Sequence, residues 1–203
     1  MRDILIATQN RDKLREIEGL IAGLPFRFVI PRDVGITESP EETETTFLGN
    51  ARLKAHHYAR ASGLPSVADD SGLSIDAMNG EPGVYSSRFC GENATYAQRF
   101  EEIWRRLRDV PESARTARFT CAVTMVSSGY VVFETEQHVN GLISSRPRGK
   151  NGFGYDPIFF HPPSGLTTAE LPRALKDAIS HRGQAFAKLR VFLETLARGE
   201  PRP

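Results

Sequence analysis

The sequence predicts an α/β protein built on a mixed sheet, and three observations carry that expectation. Short apolar or alternating runs at 3–8, 26–30, 66–69 and 73–76 read as strands, with a longer pair at 117–126 and 130–139. Segments with helical spacing of apolar residues lie between and after them. Strands and helices do not alternate strictly, so the sheet is expected to be mixed rather than wholly parallel.

In chain order, the apolar run at 3–8 reads as a buried strand, and Asn10 caps a helix with Leu14, Ile17 and Ile21 on one face. Phe26-Arg27-Phe28-Val29-Ile30 alternates as a second strand. Pro31 to Thr46 is an acidic loop, and a helix over 46–61 is stopped by Gly63 and Pro65. Two short strands, 66–69 and 73–76, flank Asp70-Ser71-Gly72. Residues 79–94 form a loop, and 96–108 a helix that turns Phe100, Ile103, Trp104 and Leu107 inward. The strands 117–126 and 130–139 form a hairpin across Ser127-Ser128-Gly129. A Gly-rich loop covers 144–157, a short helix 172–179, and Ser180 caps a last helix ending near Ala197. There are no repeats and no low-complexity segments. With 203 residues, 39 % of them apolar, the chain suits one domain over 1–203, with a flexible tail at 199–203.

Bulk charge narrows the function. Lys and Arg number 26 against 25 Asp and Glu, for a net charge of +1, without the basic excess that a duplex-DNA binder uses to displace counterions. No nucleic-acid partner is expected. The two cysteines, Cys90 and Cys121, lack metal-ligand spacing, and Cys121 sits in an alternating apolar run as a buried thiol. The run Ile4–Ala7 is too short for a signal peptide, and no stretch is long enough to span a bilayer. A cytoplasmic protein without a membrane partner is the expectation. His56 and His57 are adjacent on a helix and point in different directions, which argues against zinc.

Four clusters could carry chemistry. The first, Thr8-Gln9-Asn10-Arg11-Asp12-Lys13, lies where a strand hands over to a helix. Backbone N–H groups there attract phosphate, and Lys13 adds a point charge. It lacks the glycines of a Walker loop. Taken alone, Asn10 also reads as an ordinary cap and Lys13 as a solvated side chain. The second is the acidic loop, above all Glu41 and Glu42, with Asn50 and Lys54 on the following helix. It suits a hard cation such as Mg²⁺, although alone it reads as a solvated loop.

The third is Asp69-Asp70 behind an apolar strand, where crowding disfavours two charges unless a cation is near. A divalent ion would offset that cost and activate a water. The plainer alternative is an Asp-Ser-Gly turn. The fourth joins Gly152-Phe153-Gly154-Tyr155-Asp156-Pro157 to Lys176 and to Ser180-His181-Arg182. An aromatic ring between glycines offers a face for a base. Lys176 and Arg182 can donate to a 6-oxo group, whereas adenine presents an amino donor there. The alternatives are a core Phe and a helix cap. Ser71, His181 and Asp70 could be drawn as a triad, but no Gly-x-Ser-x-Gly elbow supports it.

In this order the clusters resemble the inosine/xanthosine triphosphate pyrophosphatase family. The matching stretches are ATQNRDK at 7–13, EETETTFLGNARLKA at 41–55, ADDSGLSIDAMNGEPGVYSSRF at 68–89, ARFTC at 117–121, GKNGFGYDPIFF at 149–160 and the TAEL…K…SHR block at 168–182. The resemblance implies a long, bent mixed sheet with flanking helices in two lobes around a central cleft, and a homodimer. It implies hydrolysis of ITP, dITP or XTP to the monophosphate and pyrophosphate with Mg²⁺, a reaction that clears these purine nucleotides from the pool.

By the same resemblance, Thr8, Gln9, Asn10, Arg11, Asp12 and Lys13 form the triphosphate cradle, assisted by Lys54, and Ser71 contacts substrate. Glu42 and Asp70 would be magnesium ligands, Asp70 also the proton acceptor, and Asp69 a support. Phe153 would stack on the base, and Gly154, Tyr155, Asp156, Lys176, His181 and Arg182 would surround it. The chain departs from the pattern at Gly49 (often Glu), Gln9 (often Gly) and Leu175 (often Glu). A pyrophosphatase for modified pyrimidines and a catalytically silent nucleotide- or RNA-binding module are the rival readings. The adjacent aspartates near Glu42 argue against the second, because carboxylates repel phosphate without a metal.

Overall fold

The computed structural model describes residues 2–199; the expected tail at 199–203 lies outside the described residues from position 200 onward. The elements are β1 (Arg2–Ile6), α1 (Arg11–Ile21), β2 (Phe26–Val29), α2 (Phe47–Ser62), β3 (Ser66–Ile75), α3 (Tyr96–Arg106), β4 (Thr116–Ser127), β5 (Tyr130–Ile143), β6 (Phe159–His161), β7 (Leu166–Thr167), α4 (Arg173–Ile179) and α5 (His181–Arg198). The strands form one seven-stranded sheet in the order β2-β1-β3-β4-β5-β6-β7. β1 pairs parallel with β2 and β3, while β6 pairs antiparallel with β5 and β7, so the sheet is mixed, as the sequence predicts. No helix among the described residues is long and apolar enough to cross a membrane.

Contacts divide the chain into two compact units. Unit 1 is the chain up to Asp70, Cys121–Gln137 and the chain from Arg182. Unit 2 is Ser71–Thr120 and His138–His181.

In unit 1 the period-2 alternation of buried strands explains the layering. Ile4 and Ile6 of β1 and Val67 of β3 pack with Ile17 and Ile21 of α1 and with Ala185, Phe186, Leu189 and Leu193 of α5. The intervening Leu5, Ala7 and Ala68 pack on the opposite face with Ala55 and Tyr58 of α2. Local signals set the helix ends. Asn10 Oδ1 accepts from the Asp12 and Lys13 amides at 2.9 and 3.0 Å, Thr46 Oγ1 caps α2 through Gly49 N at 3.0 Å, and Gly63 ends α2 with φ +69°. The β4–β5 hairpin turns at Ser128-Gly129, both with positive φ, the conformation that lets a two-residue loop follow the strand twist.

Unit 2 has its own core. Leu73 and Ile75 of β3 pack with Phe100 and Ile103 of α3, and with Phe119, Ile158 and Phe159.

One expectation is corrected. Residues 66–76 do not break into two strands around an Asp-Ser-Gly turn; β3 runs unbroken from Ser66 to Ile75. The reason is tertiary: β3 lies between β1 and β4 in the sheet, and pairing there overrides the local turn preference, while Lys13, Arg182 and Lys54 meet the two aspartates on its faces. β6 and β7, only three and two residues long, escape sequence periodicity altogether, because so short a run carries no pattern.

Phe186 is fully buried between α5 and the sheet. Phe186→Ala is expected to destabilise the protein by about 3–5 kcal/mol, measured as a lower midpoint in urea unfolding.

Candidate active site

The two adjacent aspartates organise unit 1. Alternation along β3 sends Asp69 to the α1/α5 face and Asp70 to the α2 face, so each meets its own partners.

On the α1/α5 face, Asp69 Oδ2 lies 3.1 Å from Lys13 Nζ and 3.3 Å from Arg182 Nη2. Arg182 Nη1 donates to Glu16 Oε2 at 2.7 Å. Asp69, Glu16 and Arg182 are all buried. Burial alone would raise the pKa of Asp69, but the attraction of Lys13, Arg182 and Lys54 outweighs it and the pKa falls well below the usual 3.8. Burial likewise opposes the Arg182 charge, and Asp69 and Glu16 reverse that. This face carries two carboxylates against two cations. Cys121 lies on the same side, a free buried thiol whose pKa burial pushes up to about 12, so it is inert as a nucleophile.

On the α2 face, Lys54 Nζ bridges Glu42 Oε1 at 2.7 Å and Asp70 Oδ1 at 2.8 Å. Asn50, one turn earlier on α2, donates from Nδ2 to Asp70 Oδ2 at 3.3 Å, and its Oδ1 accepts from Glu44 N at 3.0 Å. Asn50 thereby ties the acidic loop to the catalytic candidate. Burial is the largest influence on Asp70 and raises its pKa; Lys54 and Lys13 pull it down, Glu42 pushes it up, and the net direction is upward. Burial also disfavours the Lys54 charge, yet Asp70 and Glu42 overcome it and raise the lysine. Glu42 and Asp70 thus share the Lys54 ammonium, and Lys13 also acts on Asp70. That donor set suits a hard divalent cation that keeps several waters and shares substrate oxygens. Among the described residues no three acidic, His or Cys side chains form a closed metal cage.

The strand-to-helix turn is less open than expected. Asn10 acts as the cap of α1, and Thr8 Oγ1 accepts from Asn10 N at 3.2 Å. Gln9 Nε2 donates to Thr37 O at 3.1 Å. The side chains of Arg11 and Asp12 are exposed, with Asp12 3.4 Å from Arg15. A pocket of about 450 Å³ opens here, lined by Thr8, Gln9, Arg11, Arg32 and apolar neighbours. The larger hollow of about 710 Å³, around His56, His57 and Arg60, contains none of the predicted catalytic groups. At Gly49, an added Cβ would lie 2.8 Å from Glu44 Cβ and 2.9 Å from Thr46 Oγ1; glycine there lets the acidic loop and the cap fold over the first turn of α2.

Unit 2 holds Ser71, half-buried in β3 immediately after Asp70, and the remaining residues of the fourth cluster. Asp156 is buried and fully engaged: Oδ2 accepts from Lys176 Nζ at 2.6 Å and from Phe153 N at 2.8 Å, and Oδ1 from Thr168 Oγ1 at 2.8 Å. It therefore shapes the loop and holds the lysine. Lys176 Nζ lies 5.5 Å from the Phe153 ring centroid, within cation–π range. Gly152 has φ +71°, and a Cβ there would meet Asp156 Oδ2 at 2.1 Å. Gly154 also adopts positive φ. The Tyr155 side chain is buried, with its hydroxyl on Ser86 O at 2.8 Å. His181 is buried and stacks on Phe119 at 4.8 Å and 17°. Leu175 is 55 % exposed.

Sequence reasoning missed Glu16, Thr168, Ser86 and the stacking role of Phe119. Glu16 had a signal: it stands at i+3 from Lys13, on the same face of α1.

The structure is an α/β fold with paired carboxylate–cation clusters astride a central strand. The comparisons agree on the family. The Ham1 family model matches residues 4–192. The dITP/XTP pyrophosphatase of Shigella flexneri is 44 % identical over 201 residues, covering 98 % of this chain and all of the relative. That of Escherichia coli K12 is 42 % identical over the same span. Among solved structures, a HAM1 protein from Coxiella burnetii superposes with a TM-score of 0.86 at 43 % identity, covering 96 % of this chain and 99 % of its own. The Ham1 protein of Staphylococcus aureus gives 0.85 at 35 % identity, covering 96 % of this chain and 100 % of its own. The chain belongs to the Ham1 family.

Asp69 yields a pH prediction. Its folded pKa lies below the unfolded 3.8, so its contribution to stability is present above that value and is lost as pH falls toward the folded pKa. Asp69→Asn is expected to cost about 3 kcal/mol at pH 7 and to flatten the fall in stability between about pH 5 and pH 2, measured by urea unfolding across pH.

Proposed function

We propose that the chain hydrolyses deaminated purine nucleoside triphosphates, ITP, dITP and XTP, to the monophosphate and pyrophosphate in the presence of Mg²⁺. The observation that carries this reading is the Glu42–Lys54–Asp70 cluster, in which a loop carboxylate and a buried strand carboxylate converge on one lysine. The names of the relatives, dITP/XTP pyrophosphatase, support the substrate class.

In this reading Glu42 and Asp70 would hold the metal, whose chemistry would be charge neutralisation on the phosphates and activation of water. Asp70 takes the proton from the attacking water. As the new oxygen–phosphorus bond forms at the α-phosphorus, the bond to the bridging oxygen breaks and pyrophosphate leaves with the electron pair. Burial raises the pKa of Asp70, the direction that strengthens a carboxylate as a base. Lys13 and Lys54, with the Thr8–Lys13 turn and Ser71, neutralise and orient the triphosphate. Asp69 supports the site by holding Lys13 and Arg182.

Phe153 offers the base a ring face, and Lys176, fixed by Asp156, donates to a 6-oxo group. An amino group at that position would leave donor facing donor, a mismatch that can discriminate by roughly 10⁴-fold. His181 and Gly154 complete the surroundings of the base. We also infer from the family resemblance one two-lobed domain that works as a cytoplasmic homodimer.

Asp70→Asn is expected to fold with a melting temperature lowered by a few degrees, because the amide keeps one acceptor oxygen for Lys54 or Asn50 and loses the other bond. Its turnover of ITP should fall by about 10²–10⁴-fold. Pyrophosphate release from ITP, XTP, dGTP and ATP, with Mg²⁺ or with EDTA, tests both points. Near-parental ITP hydrolysis by the variant, or equal rates on ITP and ATP, would refute the reading.

A further inference from the structure

The loop that carries Phe153 is anchored by a side chain pointing away from it. Tyr155 is 4 % exposed. Its ring meets Tyr96 edge-on at 5.3 Å and lies 6.2 Å from Phe100. Packing of this kind would be satisfied by phenylalanine, yet the hydroxyl is present and donates to the Ser86 carbonyl at 2.8 Å. Ser86 is buried too. Its Oγ accepts from Leu73 N of β3 at 2.9 Å and donates to Gly83 O at 2.6 Å. The segment after it is fixed by buried Arg99 of α3, which donates to the carbonyls of Ser87 and Phe89 at 2.7 and 2.9 Å.

A continuous run of hydrogen bonds therefore leads from β3, just beyond Asp70, through Ser86 to Tyr155. The next residue, Asp156, holds both the Phe153 amide and the Lys176 ammonium. Any shift of Tyr155 moves Asp156 and with it the two groups assigned to the base. We infer that Tyr155 is a positioning residue whose hydroxyl, through Ser86, clamps the Gly152–Asp156 loop to β3 and so fixes the spacing of Phe153 and Lys176 around an oxo-purine.

This inference rests on the proposed function for its substrate and on geometry for the clamp. Its physical basis is the cost of an unmade buried bond: removing the hydroxyl leaves the Ser86 carbonyl unsatisfied, so the loop samples other positions. Binding of the base weakens, whereas the chemistry at Asp70, once substrate is bound, does not.

Tyr155→Phe is therefore expected to raise KM for ITP about five- to ten-fold while kcat stays within about two-fold. Amides 152–156 should exchange hydrogen faster than in the parent. Ser86→Ala, which cuts the link to Leu73 N but keeps the carbonyl, should act in the same direction. The double variant should then fall short of the product of the two single effects, because both lie on one path. If Ser86→Ala does not fold, Tyr155→Phe alone decides. A role in packing only predicts at most a lower melting temperature with KM unchanged. Parental KM and parental exchange at 152–156 in Tyr155→Phe overturn the clamp, as does a fall in kcat at constant KM. Failure of the parent enzyme to hydrolyse ITP counts against the proposed function instead, and exchange at 152–156 then decides the clamp by itself.

Discussion

The alternation of β3 is the constraint on which the rest of the site depends. Two adjacent carboxylates on one face of a strand would repel each other at close range in a poorly solvated interior. On opposite faces they are separated by the strand itself, and each recruits cations from a different layer. Asp69 meets Lys13 of α1 and Arg182 of α5, while Asp70 meets Lys54 of α2. The cation-bearing positions on three helices thus follow from a single register on one strand. A one-residue slip of β3 would exchange the two aspartates and bury each beside the wrong partners.

The two faces differ in a way that assigns them different work. Around Asp69 the cations of Lys13 and Arg182 meet the carboxylates of Asp69 and Glu16, and Arg182 and Glu16 are buried with it; ion pairs of this kind hold geometry. Asp70 shares Lys54 with Glu42, which belongs to a loop. The opposite directions of the two aspartate pKa values, Asp69 down and Asp70 up, express the same asymmetry. The cations hold Asp69 toward its charged form, and burial pushes its neighbour the other way.

Much of this was readable in the residues. The helices α1, α2, α3 and α5 carried periodicity and caps that place them within a few residues of their observed ends, and Asn10, Thr46 and Gly63 were doing ordinary capping. The Asp69-Asp70 pair, Glu42, Lys54 and the Gly152–Asp156 loop stood out because charged or glycine-flanked residues behind apolar runs are costly unless used. Two things were hidden. Asp-Ser-Gly favours turns as an isolated peptide, and pairing of β3 between β1 and β4 keeps it extended. Partners brought together by long-range contacts, such as Glu16 with Arg182, are separated by most of the chain, so local spacing could at best mark Glu16 as an acid on the buried face of α1. Arg182, expected to point a donor at a base, turns out to be bonded to carboxylates on either side, a role no local pattern distinguishes from the first.

The base-reading half follows a different logic, in which absence of a side chain is the enabling feature. Asp156 can accept from Phe153 N and Lys176 Nζ with the same oxygen only because Gly152 leaves that space empty; a methyl group there would fall within 2.1 Å of the carboxylate oxygen. Alanine at 152 would also be strained at φ +71°, since an L side chain disfavours that region. The glycine, the carboxylate and the lysine therefore form one device, and none can be exchanged without moving the others. A buried ammonium needs a counter-ion to remain charged, and Asp156 supplies it. In the proposed reading Lys176, held from behind by Asp156 and set beside the Phe153 ring, would meet an oxo group with little reorganisation. Asp156 and its loop would then contribute to selectivity together with Lys176.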